Sequence, residues 1–221
     1  MDDDQAIATI AAAWDAGIRF FDTAPLYGHG LAESRLGAGL RGYPRDAFVV
    51  SSKVGRLLRP DPDCDPGIFR VPRGQAPQFD YSRDGVLRSV EESLNRLGLD
   101  RLDVVLVHDP DDHEREALEG AFPALLELRD QRVVRAIGSG MNQSEMLARF
   151  VDRIDLDCVL LAGRYTLLDR SGAEPDPGDL DPTSTQRRGR DHRHSDPFGH
   201  VSAAYDSGHK SMEYPGASGT R

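Results

Sequence analysis

Leu102-Asp103-Val104-Val105-Leu106-Val107-His108 holds four consecutive aliphatic residues and then ends on an imidazole. A strand with one wet face alternates apolar and polar residues. An unbroken apolar run is the mark of a strand covered on both faces, as in parallel sheets with crossover helices. The flanks agree. Upstream, Val86, Leu87, Val90, Leu94 and Leu97 recur at helical spacing across 83–97, and Gly98 closes that helix. Downstream, the pattern predicts a helix over 114–130, a strand over 133–138, a helix over 144–152 and a strand over 156–162. Toward the N-terminus it predicts a helix over 4–16 with Ile7, Ile10, Ala11 and Trp14 on one stripe, and a strand over 18–22. A helix over 31–40 and a strand over 47–53 follow. Five strands alternating with helices predict a parallel sheet, either a barrel or a doubly wound sheet. No Gly-x-Gly-x-x-Gly turn follows the first strand, which removes the main support for a Rossmann domain. Segment 55–82, dense in Pro, Asp and Gly, reads as one long irregular loop.

Three of the strands end on residues that a buried strand should avoid: Asp22, Lys53 and His108. Tyr27 follows the first of them closely. An acid, a phenol, an amine and an imidazole form a proton-transfer set, and burying them is costly unless they pair or work. Active sites of parallel α/β proteins are built at the C-terminal ends of the strands. Each residue has a plainer role open to it: Asp22 as a helix cap or paired strand-end acid, Tyr27 as packing, His108 as a structural histidine. Lys53 carries an additional signal. The chain uses 25 arginines and two lysines, and Lys53 is the only lysine before Lys210. A lysine kept against that bias marks a place where a compact ammonium matters.

The net charge of −10 argues against a nucleic-acid-binding face. No apolar run approaches the ~20 residues of a membrane helix. The N-terminus lacks a secretory pattern, and Cys64 and Cys158 provide no disulfide framework, so the expected location is the cytoplasm. Asp61, Asp63 and Asp65 lack the Gly and closing Glu of a calcium loop and read as a solvated loop at the substrate mouth. Residues 171–221 contain only Leu180 and Val201 as branched aliphatics, with five prolines and seven glycines. Such a segment is expected to be disordered. It is either a natural tail or an out-of-frame translation beginning near Ser171. Its Asp191-His192-Arg193-His194 run, with His200 and His209, is not read as a metal site, and no metal is expected elsewhere.

The stretch Asp15-Ala16-Gly17-Ile18-Arg19-Phe20-Phe21-Asp22-Thr23-Ala24-Pro25-Leu26-Tyr27-Gly28 resembles the aldo-keto reductase signature. Gly28-His29-Gly30-Leu31-Ala32-Glu33 and Ser52-Lys53-Val54-Gly55-Arg56 are most similar to the sugar dehydrogenase branch. Phe79-Asp80-Tyr81-Ser82, Leu97-Gly98-Leu99-Asp100 and Val107-His108-Asp109-Pro110 extend the likeness, which covers about residues 3–171. The resemblance implies a (β/α)8 barrel of which the five strands here are the second to sixth. Residues 1–170 would be an incomplete barrel and 171–221 the tail. It implies a catalytic tetrad of Asp22, Tyr27, Lys53 and His108, with NADP or NAD as cofactor and a small sugar or aldehyde as substrate. Tyr27 would be the acid–base, Lys53 the cation beside it, Asp22 the partner of Lys53 and a cofactor contact, and His108 the group orienting the substrate oxygen. Asn142 would hold the nicotinamide carboxamide, although Ile137-Gly138-Ser139-Gly140-Met141-Asn142 also reads as turn glycines before a helix cap. Where many members carry a cofactor-contacting glutamine, this chain has Ala162. Nothing in the sequence matches the family's phosphate-gripping loops. The implied activity is oxidation of an aldose such as L-fucose or D-arabinose at C1, or reduction of a small aldehyde or ketone. The alternatives are an inactive fragment of such an enzyme and an aldolase using Lys53 as a Schiff base.

Overall fold

The computed structural model describes residues 2–164 apart from 66, 68, 70, 72 and 73. The expectations for 171–221 therefore fall outside the described residues. Among the described residues five parallel strands form one sheet, and their spatial order is their order in the chain. They are β1 (Phe20–Asp22), β2 (Val49–Val54), β5 (Val104–His108), β6 (Ala136–Met141) and β7 (Cys158–Leu161). Helices α1 (Asp3–Asp15), α2 (Leu31–Leu40), α3 (Arg83–Leu97) and α6 (Ser144–Arg153) cover its outer face. So does the run of α4 (Glu114–Glu116), a π-helical turn at Ala117–Ala121 and α5 (Phe122–Asp130). The arrangement is the arc of a TIM-type barrel with its C-terminal strand ends on one rim. Among the described residues no helix is long and apolar enough to cross a membrane.

Local chemistry sets the element ends. The Asp2 side chain accepts from Gln5 N at 2.8 Å to cap α1, and Ser82 Oγ accepts from Gly85 N at 3.1 Å to cap α3. Gly98, at φ 64°, ends α3. Along β2 and β5 the side chains alternate between two layers. Val50, Val54, Val105 and Val107 pack outward with Leu40, Leu97, Phe122, Leu125 and Phe150. Val49, Val104 and Leu106 face inward over Ala136, Cys158 and Leu160. Period-two alternation then sends Ser51, Lys53 and His108 to the inner face as well.

Two expectations are corrected. Segment 55–82 is not irregular: β3 (Arg56–Asp61) and β4 (Gly74–Phe79) form an antiparallel hairpin in register from Arg56↔Phe79 to Asp61↔Gly74. Leu57 and Leu58 are buried under it, and Arg59 reaches Glu92 on α3 at 3.0 Å. Pro60 and Pro77 hid the hairpin in the sequence, yet a two-stranded ribbon has free outer edges where proline is tolerated. The second concerns the strand expected over 133–138, which runs Ala136–Met141, so that Gly140 as well as Gly138 lies inside β6 and not in the turn that the alternative reading of 137–142 offered. A Cβ at 138 would stand 2.1 Å from the Cys158 carbonyl oxygen, and one at 140 would stand 3.3 Å from Lys53 Cε. These glycines make room within the sheet.

Gly55 turns the chain from β2 into β3 at φ +103°, and a Cβ there would lie 2.2 Å from Tyr81 Cε1. Backbone strain and a ring collision coincide. Gly55→Ala is expected to destabilise the chain by about 2–4 kcal/mol. Gly98→Ala, where no atom lies within 4 Å, should cost only about 1 kcal/mol. Urea midpoints of the two variants compare them directly, and equal losses would contradict the close approach of Tyr81.

Candidate active site

The register places the chemistry. Asp22 pairs with Ser51 across β1 and β2, Lys53 with Leu106 across β2 and β5, and His108 with Gly140 across β5 and β6. Lys53 is 2 % exposed. Its Nζ donates to Asp22 Oδ2 at 2.6 Å and to the Thr23 carbonyl at 2.9 Å. The second oxygen of Asp22 accepts from Ser51 Oγ. A buried ammonium is tolerable only with such partners.

Tyr27 is delivered by a tightly coiled segment between β1 and α2. Tyr27 N bonds the Ala24 carbonyl at 3.1 Å, Gly30 N the Pro25 carbonyl at 2.8 Å and Ala32 N the Tyr27 carbonyl at 3.2 Å. The ring returns over Lys53, whose Nζ lies 4.7 Å from the ring centroid. On its other side it meets the His108 ring nearly at right angles, with centroids 5.8 Å apart. The fold thus gathers Asp22, Tyr27, Lys53 and His108 into one contiguous cluster on the rim.

His108 is buried, and its pKa falls to about 3. Burial is the main cause, and the nearby cations Arg56 and Lys53 add to it. The imidazole is therefore neutral at physiological pH and can donate through one nitrogen and accept through the other. Its Nδ1 is buried without a hydrogen-bond partner among the described residues, as is Thr23 Oγ1. Cys158 on β7 is pushed up to about 11 by burial and then by Asp157 and Asp22, so it is a thiol and not a nucleophile.

Asn142 stands exposed just past β6, with its backbone oxygen accepting from Arg164 Nε at 3.2 Å. Ala162 follows β7, and its N–H bonds the Met141 carbonyl at 3.0 Å. Sequence reading missed four residues that shape this rim. Ser51 shares the inner face of β2 with Lys53, a pairing readable from their i, i+2 spacing once the strand is known. Arg56, Tyr81 and Asp109 converge beside His108 through the hairpin, and no local pattern links them.

An unfolded histidine titrates near pH 6.5, and the folded His108 near 3. Between these values the unfolded chain binds a proton that the folded chain does not. The contribution is neutral above about pH 6.5, and stability falls as the pH drops toward 3, by up to about 1.4 kcal/mol per unit. Urea unfolding at pH 7.5 and pH 5 should show this loss, and His108→Gln should flatten it. An unchanged slope in the variant would refute the assignment.

A family model described as the Aldo/keto reductase family matches residues 1–176. The chain is 51 % identical over 180 residues to a D-threo-aldose 1-dehydrogenase of Pseudomonas sp, covering 78 % of this chain and 55 % of that relative. It is 42 % identical over 186 residues to pyridoxal 4-dehydrogenase of Microbacterium luteolum, covering 75 % of this chain and 54 % of that relative. The structure superposes on a solved aldo-keto reductase from Pseudomonas aeruginosa with a TM-score of 0.60 at 34 % identity, over 78 % of this chain and 60 % of the other. The chain spans about half the length of the curated relatives it matches.

Proposed function

Because the chain belongs to the aldo/keto reductase family, we propose that it carries the proton-transfer half of a nicotinamide-dependent oxidoreductase. The reaction is oxidation of an aldose at C1 to its lactone, with reduction of a small aldehyde or ketone as the reverse sense. The observation that carries the reading is the Asp22–Lys53–Tyr27–His108 cluster on the C-terminal rim of the sheet. The likeness to a D-threo-aldose 1-dehydrogenase supports the sugar as substrate.

The residues divide the work as follows. Tyr27 takes the proton of the C1 hydroxyl as general base. The Lys53 ammonium lies beneath its ring, and Asp22 keeps that ammonium in place. Neutral His108 hydrogen-bonds the same sugar oxygen and orients C1. The cofactor, NADP or NAD, supplies a hydride acceptor when bound. C1 then loses one hydride and its oxygen one proton, which leaves the lactone carbonyl. Asn142 fits the carboxamide of that cofactor, since an exposed primary amide offers one donor and one acceptor to its like. Asp22, at the centre of the cluster, is the second contact.

A catalytically silent piece of such an enzyme is the second reading. It is favoured by the edges of β1 and β7, which have no strand partner on one side among the described residues. Tyr27→Phe is expected to lower turnover of an aldose by about 10²–10⁴-fold. Fluorescence titration of the reduced cofactor should give the same affinity for variant and parent. Retained turnover in the variant would sink the mechanism. Cofactor binding without turnover in the parent would favour the silent reading.

A further inference from the structure

The backbone at the end of β5 is unusual. Asp109, next to His108, adopts φ +36°, a conformation that non-glycine residues enter only when something holds them there. The holding group is Tyr81. Its hydroxyl lies 2.8 Å from the His108 carbonyl and 3.0 Å from the Asp109 carbonyl, and it donates its proton between them. That contact turns the Asp109 carboxylate back toward the imidazole, where Oδ2 stands 3.4 Å from His108 Nε2. Arg56, the first residue of β3, donates from Nη2 to the same Oδ2 at 3.0 Å. The Arg56 Nε is buried and has no hydrogen-bond partner among the described residues.

We infer that the Arg56–Asp109 pair is a hydroxyl-reading subsite, which accepts the C2 hydroxyl of a sugar whose C1 oxygen is held by His108. The inference rests on the aldose reading above. The geometry is that of a vicinal diol. Oxygens on adjacent carbons lie about one hydrogen-bond length apart, which matches the separation of His108 Nε2 and Asp109 Oδ2. The carboxylate can only accept, so it demands a donor, and a hydroxyl supplies one where a plain methylene does not. Arg56 keeps the carboxylate oriented through its Nη2 and balances its charge. A site built to hydrogen-bond a hydroxyl rejects the analogue that lacks it, because its own polar groups are then left unpaired.

The probes are D-arabinose and 2-deoxy-D-ribose, which is the same pentose without its C2 hydroxyl. Binding of each to the full chain is measured by saturation-transfer NMR, and NAD(P)H formation is measured separately. The expected result is a preference of about 10–100-fold for D-arabinose. In Asp109→Asn it should shrink to within about threefold. As a check independent of any variant's folding, the Asp109 carboxyl carbon resonance of the parent chain should shift with D-arabinose and not with the deoxy sugar. Equal binding of both sugars, binding of neither, or a preference unchanged in Asp109→Asn would overturn the inference. Selective binding without NAD(P)H formation would leave the subsite standing and remove the dehydrogenase reading. NAD(P)H formation with no selectivity would do the reverse.

Discussion

One buried ammonium governs the inner face of this sheet. Lys53 sits on β2 at 2 % exposure, where an unpartnered cation would cost several kcal/mol. Its needs run through the neighbouring strands. Asp22 must end β1 in register with Ser51, so that its two oxygens meet Lys53 Nζ and Ser51 Oγ. The Thr23 carbonyl must follow at once to accept the second proton. β6 offers a glycine at 140, where a Cβ would come within 3.3 Å of Lys53 Cε. The π-face of Tyr27 then closes the remaining side, and a ring over a cation is itself attractive.

The outer face is governed by other buried charges with a different purpose. Glu33 on α2 is fully buried and accepts from Ser52 Oγ at 2.7 Å and from Arg96 Nε at 2.6 Å. It ties α2 and α3 to the outward-facing residue beside Lys53. At the opposite end of the sheet Asp103 accepts from the Val50 N–H at 2.9 Å and from Arg45 Nη2 at 2.7 Å. Breaking such a pair strands one charge and costs about 3–5 kcal/mol, so these carboxylates lock orientation rather than perform chemistry. Their partners are Ser52, Arg96, Arg45 and the backbone of Val50, whereas Asp22 is bonded to Lys53 within the cluster with Tyr27 and His108.

The hairpin of β3 and β4 joins scaffold to rim. Gly55 lets the chain turn without meeting the Tyr81 ring, and Tyr81 in turn holds the backbone at His108 and Asp109. Phe79 extends this contact by stacking on Tyr81 and meeting His113 at a centroid distance of 4.8 Å. The conformation of β5's last residues is thus decided by a segment some 27 residues earlier in the chain.

By itself the sequence determined the parallel α/β class, the five strands of the sheet and the identity of Asp22, Lys53 and His108 as strand-end residues. These features are local. An apolar run, a helical period or a capping glycine is written in consecutive residues, and period two then assigns each strand residue to a face. Helix 31–40 emerges with the expected bounds, and the strand expected over 133–138 shifts to Ala136–Met141, because strand pairing rather than composition sets the end. Only the tertiary structure decided that the proline-bearing segment forms a hairpin, that Gly138 and Gly140 are spacers inside a strand, and that Arg56, Tyr81 and Asp109 meet beside His108. Each depends on residues far apart in the chain, and such contacts are selected by packing against neighbours that no local pattern names.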